Sequence, residues 1–545
     1  MRKSLLFLLL MVCFVFNSQA NNYYFNAKDG NDNNNGRTIS SAFKSLKKIT
    51  ELDIKGGDSI LLAGGITFYE SMTLKGLKGT AQKPIIISSY FINQQKEQAK
   101  IDAKGFANGI LILNCQYVEV NNLYITANGG KTEPINGKIP PMRCGVLVTT
   151  NYVNTFTDIS LVNLKIKDVY FEEVGFTRGK EEVRTENGTQ KYGWGIRFIN
   201  ETDKAILQNL KIDGCEISNV SHTGLKFTGK KESIKNIKVF NNSVVDVGGP
   251  GIQMSGVKTG LVRGNTVNRS GSKNDSRNWS RGSGLWTWGT SDVIIEKNSF
   301  LNANGPGDSA GCHIDYNCNN IIVQYNLSMN NAGGFCEILG NNYNCAYRYN
   351  ISVNDGFRIK GKDGAFQEGK IFWLSGYVGN KVKPKGPFNS YIYNNTIYTK
   401  SDMFAQIAVT TSASGVLLAN NIFHIEGESK FVAGDQLKAE DLTKAEILNT
   451  FFKNNLFLKA SNWPKEVLIQ DEEPIFGDAK FKNKGGFKLE DYTPTNTSLI
   501  KDKGIEIKKI NTDDLGLYIG LKAKYDILGN KIKGKPDMGA IDISK

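Results

Sequence analysis

The sequence predicts an all-β chain wound into a single-stranded right-handed parallel β-helix with inserted loops, and three observations lead to this prediction. An Asn followed by small or apolar residues returns about once per coil, and a Gly opens a short strand at similar intervals. Within each unit, apolar and polar residues alternate with a period of two, not the period of about 3.6 that a helical repeat requires. The length of 545 residues exceeds what one compact core usually supports, as expected of an elongated repeat.

The Asn repeat comes first. Its members are Asn242, Asn265, Asn298, Asn326, Asn350, Asn395 and Asn421. Successive steps are 23, 33, 28, 24, 45 and 26 residues, so the short steps fit one coil and the long steps contain inserted loops. Because Asn side chains stacked on neighbouring coils can hydrogen-bond along the stacking axis, we expect a ladder of these residues.

The Gly repeat marks where strands begin. Its members are Gly195, Gly224, Gly251, Gly284, Gly311, Gly333 and Gly356. The first and third residues after each Gly are mostly apolar, whereas the second and fourth are mostly polar or aromatic. Alternate side chains of a strand point to opposite faces, so the first set should fill the coil and the second should form an outer face.

The N-terminus resembles a signal peptide. Arg2 and Lys3 precede the apolar run Leu5–Phe16, and small residues follow at Ser18–Ala20. The run is too short to span a bilayer comfortably, and no later stretch is apolar enough. We therefore expect an exported monomer, secreted or periplasmic, without a membrane span.

The chain is divided into three parts on these patterns. Residues 1–20 are the predicted signal peptide, residues 21–425 the β-helix, and residues 426–545 a C-terminal segment that packs on the helix and contains one helix at Lys438–Thr450. After Cys13, seven Cys remain and none forms a CxxC pair. An odd number without such pairs predicts small core residues and neither a disulfide framework nor a zinc site.

Both ends of the chain and its centre carry recognisable stretches. Tyr24–Gly36 reads YFNAKDGNDNNNG, and Met538–Ala540 lies near the C-terminus. With the Asn-centred coils, these stretches resemble the secreted right-handed β-helix proteins of the pectin-lyase-like superfamily over residues 22–545. That superfamily includes polysaccharide lyases, glycoside hydrolases, epimerases and adhesins, so the resemblance implies the fold and leaves the reaction open. Asp308–Phe357 resembles the central coils of β-helix glycoside hydrolases of the xylosidase and fucosidase kind.

Aligning the Gly-anchored strands predicts one outer face. The second positions are Arg197, Lys226, Gln253, Trp286, His313, Phe335 and Arg358. The fourth positions are Ile199, Thr228, Ser255, Trp288, Asp315, Glu337 and Lys360. Trp286 and Trp288 would stack on sugar rings, unless an inserted loop covers them.

Asp315 and Glu337 would stand on adjacent coils in this alignment, about 5 Å apart, which is the separation of acid and nucleophile in retaining glycosidases. His313 lies two residues before Asp315 and suits an acid–base role. A bound calcium ion, with Asp308 and Asp355 as further ligands, is a third interpretation of the same carboxylates. No other metal or cofactor is expected.

Cations flank this predicted centre. Arg358 and Lys360 would lie one coil beyond the carboxylates, and Arg197 and Lys226 on the other side, as suits an anionic sugar. If a cation neutralises the carboxylate of a uronate, a base can remove the C5 proton and the C4 substituent then leaves. His313 is one candidate base, and Tyr316 and Tyr349 are others.

Three hypotheses for function follow. The formal charge of +14 and pI near 9.1 favour an acidic polysaccharide, not nucleic acid, as the partner of an exported protein. The leading hypothesis is β-elimination at a uronate by a lyase or dehydratase, with His313 and Arg358 central. The second is a glycoside hydrolase using Asp315 and Glu337, and the third is a β-helix that binds glycans without catalysis.

Overall fold

The computed structural model describes residues 20–91, 96–132, 134, 137–138, 140–173, 175–177, 191–200, 202–271, 281–432, 450–464 and 471–543. The predicted signal peptide, apart from residue 20, lies outside the described residues. The predicted helix at Lys438–Thr450 also lies outside them, except for its last residue, which begins a strand.

Three long sheets run side by side along the described chain, and every pair of neighbouring strands within them is parallel. Each coil contributes one strand to each sheet before the next coil begins, which confirms the predicted parallel β-helix. The first sheet contains Asn22–Phe25, Ser59–Ala63, Ile85–Tyr90, Val118–Asn121, Thr155–Val162, Ile206–Asp213, Ile234–Phe240, Val257–Arg263, Ser291–Glu296, Asn319–Gln324, Ala346–Arg348, Phe388–Tyr393, Ser414–Ala419 and Thr450–Lys453.

The other two sheets follow in each coil. The second contains Thr67–Phe68, Ala99–Asp102, Leu123–Asn128, Lys165–Tyr170, Glu216–Val220, Ser243–Val247, Thr266–Ser270, Ser299–Leu301, Leu327–Met329, Ile351–Val353, Thr396–Thr399, Ile422–Ile425, Leu456–Phe457 and Ile475–Phe476. The third contains Met72–Lys75, Asn108–Leu113, Met142–Thr149, Tyr192–Asn200, Leu225–Gly229, Ile252–Ser255, Leu285–Trp288, Ala310–Ile314, Gly334–Ile338, Lys370–Leu374, Ala405–Val409 and Ser429–Phe431.

Helices are few and short in the described residues. They are the 3-10 turns Ile39–Ser41, Leu46–Glu51, Ala460–Asn462 and Leu489–Tyr492 and the α-helical turn Thr497–Ile500. None of them is long and apolar enough to cross a membrane.

The interior of the coils is a continuous apolar core. Ile, Val, Leu and Phe side chains from all three sheets are buried in it, from Phe25 near one end to Phe457 near the other. The seven Cys after residue 20 are free thiols and all are buried. Six of them lie in the interior core, as predicted, whereas Cys144 packs in a separate cluster with Tyr192 and Trp194.

The Asn ladder forms where each coil turns from the first sheet to the second. The side-chain oxygen of Asn326 accepts hydrogen bonds from the backbone N–H and the side-chain amide of Asn298, at 2.9 and 3.0 Å. The side-chain oxygen of Asn350 accepts the same two hydrogen bonds from Asn326. All seven predicted members take part, and Asn455 and Asp471 extend the ladder beyond them. The side-chain amides thus provide hydrogen-bond partners for buried backbone groups at these turns, which lie outside the strands.

The coils continue beyond residue 425, where the sequence placed their end. Strands from Ser429 to Phe476 add to all three sheets, because Asn455 and Asp471 continue the ladder there. Beyond them, Ile500 and Met538 pack against the outer face of the second sheet, and Ile510 packs against that of the first. The described C-terminal residues thus cover part of two outer faces, in the coils from Ile294 onward, and the candidate site lies on the third sheet.

We expect Asn326→Ala to lower the free energy of unfolding by about 3 kcal/mol, because it leaves buried donors and acceptors on both neighbouring coils unpaired. Denaturant unfolding monitored by circular dichroism measures the change. Asn268→Ala is the matched control, since Asn268 accepts only an exposed hydrogen bond from Asn302. Equal stabilities for the two variants would contradict a structural role for the ladder.

Candidate functional site

One column of side chains crosses the outer face of the third sheet, one residue per coil. It consists of Arg197, Lys226, Gln253, Trp286, His313, Glu337 and Trp373, each paired in register with the next. Cys312, Ile314, Cys336 and Ile338 of the same strands lie in the core, as predicted. The inward assignment of these four residues is therefore confirmed, whereas Phe335, predicted to point outward, also lies in the core.

The register between coils differs from the prediction at Glu337. Glu337 was expected opposite Asp315 of the preceding coil. It pairs instead with His313, because its strand begins at Gly334, opposite Ala310. The position of Gly311 is then occupied by Phe335, which points into the core against Tyr347 and Phe372. Phe335 thus stands where the other coils have their marker Gly. The alignment based on Gly333 therefore placed this strand two residues out of its true register.

The two cations predicted beyond the carboxylates are not on a strand. Arg358 and Lys360 belong to the loop of residues 354–369, which was inserted before the strand Lys370–Leu374. The Arg358 guanidinium donates to the carbonyl oxygens of Gln367, Gly305 and Asp308, at 2.8–3.0 Å. Lys360 is exposed on the loop surface. Neither residue lies along the floor of a groove, and Arg358 instead joins two loops that precede the third sheet.

His313 is the centre of a cluster of three carboxyl groups and is only 1% exposed. Its Nδ1 lies 3.5 Å from Oε2 of Glu337 and 3.0 Å from Oγ of Ser283. Its Nε2 lies 3.9 Å from Oδ2 of Asp315. Glu337 is 2% exposed, whereas the Asp315 side chain is 19% exposed. Of the predicted pair, Asp315 therefore faces the more open side and Glu337 the buried side.

Asp308 is the third carboxyl group of this cluster. Arg281 Nη1 donates to its Oδ1 at 2.5 Å, and both side chains are largely buried. Its backbone N–H donates to the side-chain oxygen of Gln367 at 2.6 Å, which ties it to the inserted loop. From the sequence, Asp308 was expected only as a calcium ligand, and Arg281 was missed.

The ionisation of these groups is pushed in opposite directions. Burial raises the pKa of Glu337, although His313 and Lys370 favour its anion. Burial also disfavours the Asp308 anion, but Arg281, His313 and Arg358 outweigh it and hold the pKa of Asp308 below its usual value. The site thus contains one carboxyl group inclined to keep its proton and one held ionised.

The neighbouring carboxyl groups also change the pKa of the His313 imidazole. Burial disfavours its charged form, but Asp315, Glu337 and Asp308 together raise the pKa of His313 to about 9. At neutral pH the ring is therefore an imidazolium ion. It attracts the carboxylates around it and has no free lone pair with which to accept a further proton.

The two outward tryptophans differ in exposure. Trp288 is 44% exposed and lies 5.1 Å from the ring of Tyr316, beside Asp315. Trp286 is 5% exposed and packs in an apolar cluster with Tyr192 and Trp194. Only Trp288 presents an open ring face to a sugar, and Trp286 is covered.

Five members of the column carry a buried polar atom that has no hydrogen-bond partner among the described residues. These atoms are Gln253 Oε1, Trp286 Nε1, His313 Nε2, Glu337 Oε2 and Trp373 Nε1. Because buried polar groups are nearly always paired, these are positions where water or a polar ligand would bind. Trp373 was missed because its strand, KIFWL, carries no Gly marker.

Asp308 and Asp355, the further calcium ligands of the sequence-based hypothesis, have protein partners. Asp355 is buried and accepts hydrogen bonds from Asn331 and Ser352, and Asp308 pairs with Arg281. Within the described ranges, no group of three or more His, Cys, Asp or Glu is placed to hold a metal ion. Tyr349, a predicted base, packs with Tyr391 and Tyr393 beneath the C-terminal segment and not beside His313.

Comparison with known proteins agrees with this fold. Residues 194–363 match the family model described as right handed beta helix region. The chain is 22% identical to a lacto-N-biosidase of Bifidobacterium longum subsp. longum over 96% of its own length, and it spans about a third, 36%, of that relative. A crystal structure of GH136 lacto-N-biosidase from Eubacterium ramulus superposes with a TM-score of 0.50 at 19% identity, over 84% of this chain and 68% of that one.

The two tryptophans should respond differently to truncation. We expect Trp286→Ala to lower the free energy of unfolding by about 3 kcal/mol or more, because it empties a buried aromatic site. Trp288→Ala should change it by less than about 0.5 kcal/mol, as for exposed residues in general. Denaturant unfolding of both variants measures the difference, and a destabilisation of similar size in Trp288→Ala would mean that its ring is also part of the packing.

Proposed function

We propose that this protein is a glycoside hydrolase that acts on a glycan bound across the outer face of the third sheet. The observation that carries the proposal is the pair of carboxyl groups, Glu337 and Asp308, whose pKa values are shifted in opposite directions around the same imidazolium. Glycosidases need one carboxyl group that donates a proton and one that is anionic, and such a separation supplies both.

In the reaction we infer, Glu337 donates its proton to the glycosidic oxygen. The bond between that oxygen and the anomeric carbon breaks, and the positive charge that develops on the sugar faces the carboxylates of Asp315 and Asp308. Water then adds its oxygen to the anomeric carbon and returns a proton to a carboxylate. Asp315 is the most exposed of the three groups and lies beside Trp288, so the sugar ring would stack on Trp288 and reach Asp315 first.

His313 acts in this scheme as a fixed positive charge. It lies between Glu337 and Asp315, and its raised pKa keeps it protonated at neutral pH. It therefore contacts both carboxyl groups and stabilises the Glu337 anion that forms when the proton is donated. The same property speaks against β-elimination at a uronate, in which His313 would have to be neutral to remove the C5 proton.

The cations near the centre also favour hydrolysis over elimination. Elimination needs a cation on the carboxylate of the uronate, but Arg358 is bound to backbone carbonyls and Arg281 to Asp308. Lys370 lies over the ring of Trp373, 4.1 Å from its centre, and donates to the carbonyl oxygen of Glu368. These cations contact groups of the protein itself and are not positioned to bind a sugar carboxylate.

The curated relative suggests which glycan to test first. It is named a lacto-N-biosidase, so an oligosaccharide that ends in lacto-N-biose is the first candidate substrate. The apolar run Leu5–Phe16 further supports the proposal that the enzyme works after export, on glycans outside the cytoplasm.

Hydrolysis should yield new reducing ends without new ultraviolet absorbance, and Glu337→Gln and Asp315→Asn should each lower kcat by about 100-fold or more, because each removes a group that acts in the transition state. Glu232→Gln, on a half-buried turn outside the carboxyl cluster, is the control and should keep full activity. Absorbance from an unsaturated uronate would instead establish elimination. Binding without any change in glycan length would establish a non-catalytic protein.

The pH dependence tests the role of Glu337 as the acid. Activity should fall as pH rises through the pKa of Glu337, because only the protonated form donates. Lys370 favours the Glu337 anion, so Lys370→Met should raise that pKa further and move the alkaline limb of kcat/KM to higher pH. The exposed Lys238→Met serves as control, and a shift of the limb to lower pH in Lys370→Met would contradict the assignment.

A further inference from the structure

A cavity of about 560 Å³ lies beside the loop of residues 354–369, at the turns that lead from the second sheet into the third. Its volume is within the range of about 300–1,000 Å³ that small-molecule sites occupy in proteins. Phe357 and Glu368 line it from the loop, and Phe404 and Gln406 from the next coil. Among the described residues that line it, none belongs to the carboxyl cluster, so the cavity is a separate place on the surface.

Gln406 carries an unpaired acceptor at this cavity. The residue is 4% exposed, and its Nε2 donates to Oε2 of Glu368 at 3.3 Å. Its Oε1 is buried and has no hydrogen-bond partner in the part of the chain that the structure describes. Because buried carbonyl oxygens are nearly always paired, this atom requires a donor, either water or a ligand that enters the cavity.

The cavity also presents aromatic and amide groups. Phe404 is 54% exposed and Phe357 is 41% exposed, and the two rings form an apolar contact surface. Asn302 and Asn330, from the turns of two neighbouring coils, are further lining residues. Aromatic rings suit the C–H face of a pyranose, whereas amides exchange hydrogen bonds with its hydroxyl groups. This combination favours a sugar over a wholly apolar ligand.

The charges around the cavity are balanced. Two Lys and two acidic residues line it, so their formal charges cancel. Lys400 Nζ lies 3.1 Å from Oδ2 of Asp402, and Lys430 Nζ lies 5.7 Å from the centre of the Phe404 ring. Glu368 accepts a backbone N–H of its own loop at 2.9 Å. Because these charged groups already contact groups of the protein, the cavity favours an uncharged ligand.

We propose that this cavity is a second glycan-binding site, which takes a neutral sugar unit. The sugar packs one face on Phe404, and one of its hydroxyl groups donates to Oε1 of Gln406. The inference goes beyond the proposed function, because binding here requires no reaction at the carboxyl cluster. A glycan held in the cavity stays close to the third sheet, which raises its effective concentration at the cluster.

Calorimetric titration with single sugars tests this site. The probes are galactose, glucose and N-acetylglucosamine, which are neutral, and galacturonic acid, which carries a carboxylate. The titrations use Trp288→Ala, because this variant lacks the open ring beside Asp315 and so binds sugars less well at the carboxyl cluster. At least one neutral sugar should bind with a Kd in the millimolar range, and galacturonic acid should bind no more tightly than that sugar.

A second substitution assigns that binding to the cavity. Adding Phe404→Ala to Trp288→Ala should weaken binding about tenfold or more, because it removes the exposed ring on which the sugar packs. Phe487→Ala removes another exposed ring, outside the cavity, and is the matched control that should leave the affinity unchanged.

The hydrogen bond to Gln406 is tested on the ligand. Among the deoxy derivatives of the bound sugar, the one that lacks the hydroxyl group donating to Oε1 should bind about tenfold more weakly, because the buried oxygen is again unpaired. In Gln406→Met, that deoxy sugar and its parent should bind equally. Thermal unfolding checks that this variant is folded, and the deoxy series decides the point by itself if it is not.

Absence of binding by all three neutral sugars, an affinity that Phe404→Ala leaves unchanged, tighter binding of galacturonic acid than of every neutral sugar, or a deoxy series without a weaker member would overturn the proposal. These outcomes are separate from those for the reaction. A protein that binds the sugar here but releases no reducing ends would keep this site and lose the hydrolase assignment. Hydrolysis without sugar binding in the cavity would do the reverse.

Discussion

The structure depends on one constraint, which is that each coil must turn from the first sheet to the second without leaving buried backbone groups unpaired. The side chains of the Asn ladder meet this need, since each accepts two hydrogen bonds from the preceding ladder Asn. The residue before a ladder Asn often has positive φ, as at Asn241 and Gly264, so the chain bends there at a fixed point. The fixed bend sets where the second sheet begins in each coil, and the longest insertions within the coils are confined to the loops before and after the third sheet, such as residues 354–369.

That confinement explains where a site can form. In the later coils, the C-terminal segment covers the outer faces of the first and second sheets, through residues such as Ile510 and Met538. The third sheet receives the inserted loops instead, and Arg358 joins the loop that carries Asp308 to the loop of residues 354–369. Burial beneath these loops shifts the ionisation of Glu337, because the same carboxyl group on an open sheet would be solvated.

The sequence predicted the fold and the direction of many strand side chains, because alternation within a strand follows directly from residue type, as at Cys312 and Ile314. Phe335 was predicted to point outward but lies in the core. The sequence did not predict the register of Glu337, since Phe335 replaces the marker Gly and no residue nearby signals the change. The loop that carries Arg358 also has the sequence pattern of a strand, because apolar Phe357 and Ile359 flank the polar Arg358. Burial could not be predicted either, because the residues that cover His313 and Trp286 are distant in sequence.

Cations lie close to the carboxyl cluster, yet they do not hold Glu337 ionised. Arg281 pairs with Asp308, and Arg358 and Lys370 donate hydrogen bonds to backbone carbonyl oxygens of the neighbouring loops. Arg358 and Lys370 favour the Glu337 anion, but burial outweighs them and raises its pKa. Burial, and not distance from positive charge, is therefore what shifts the ionisation of Glu337.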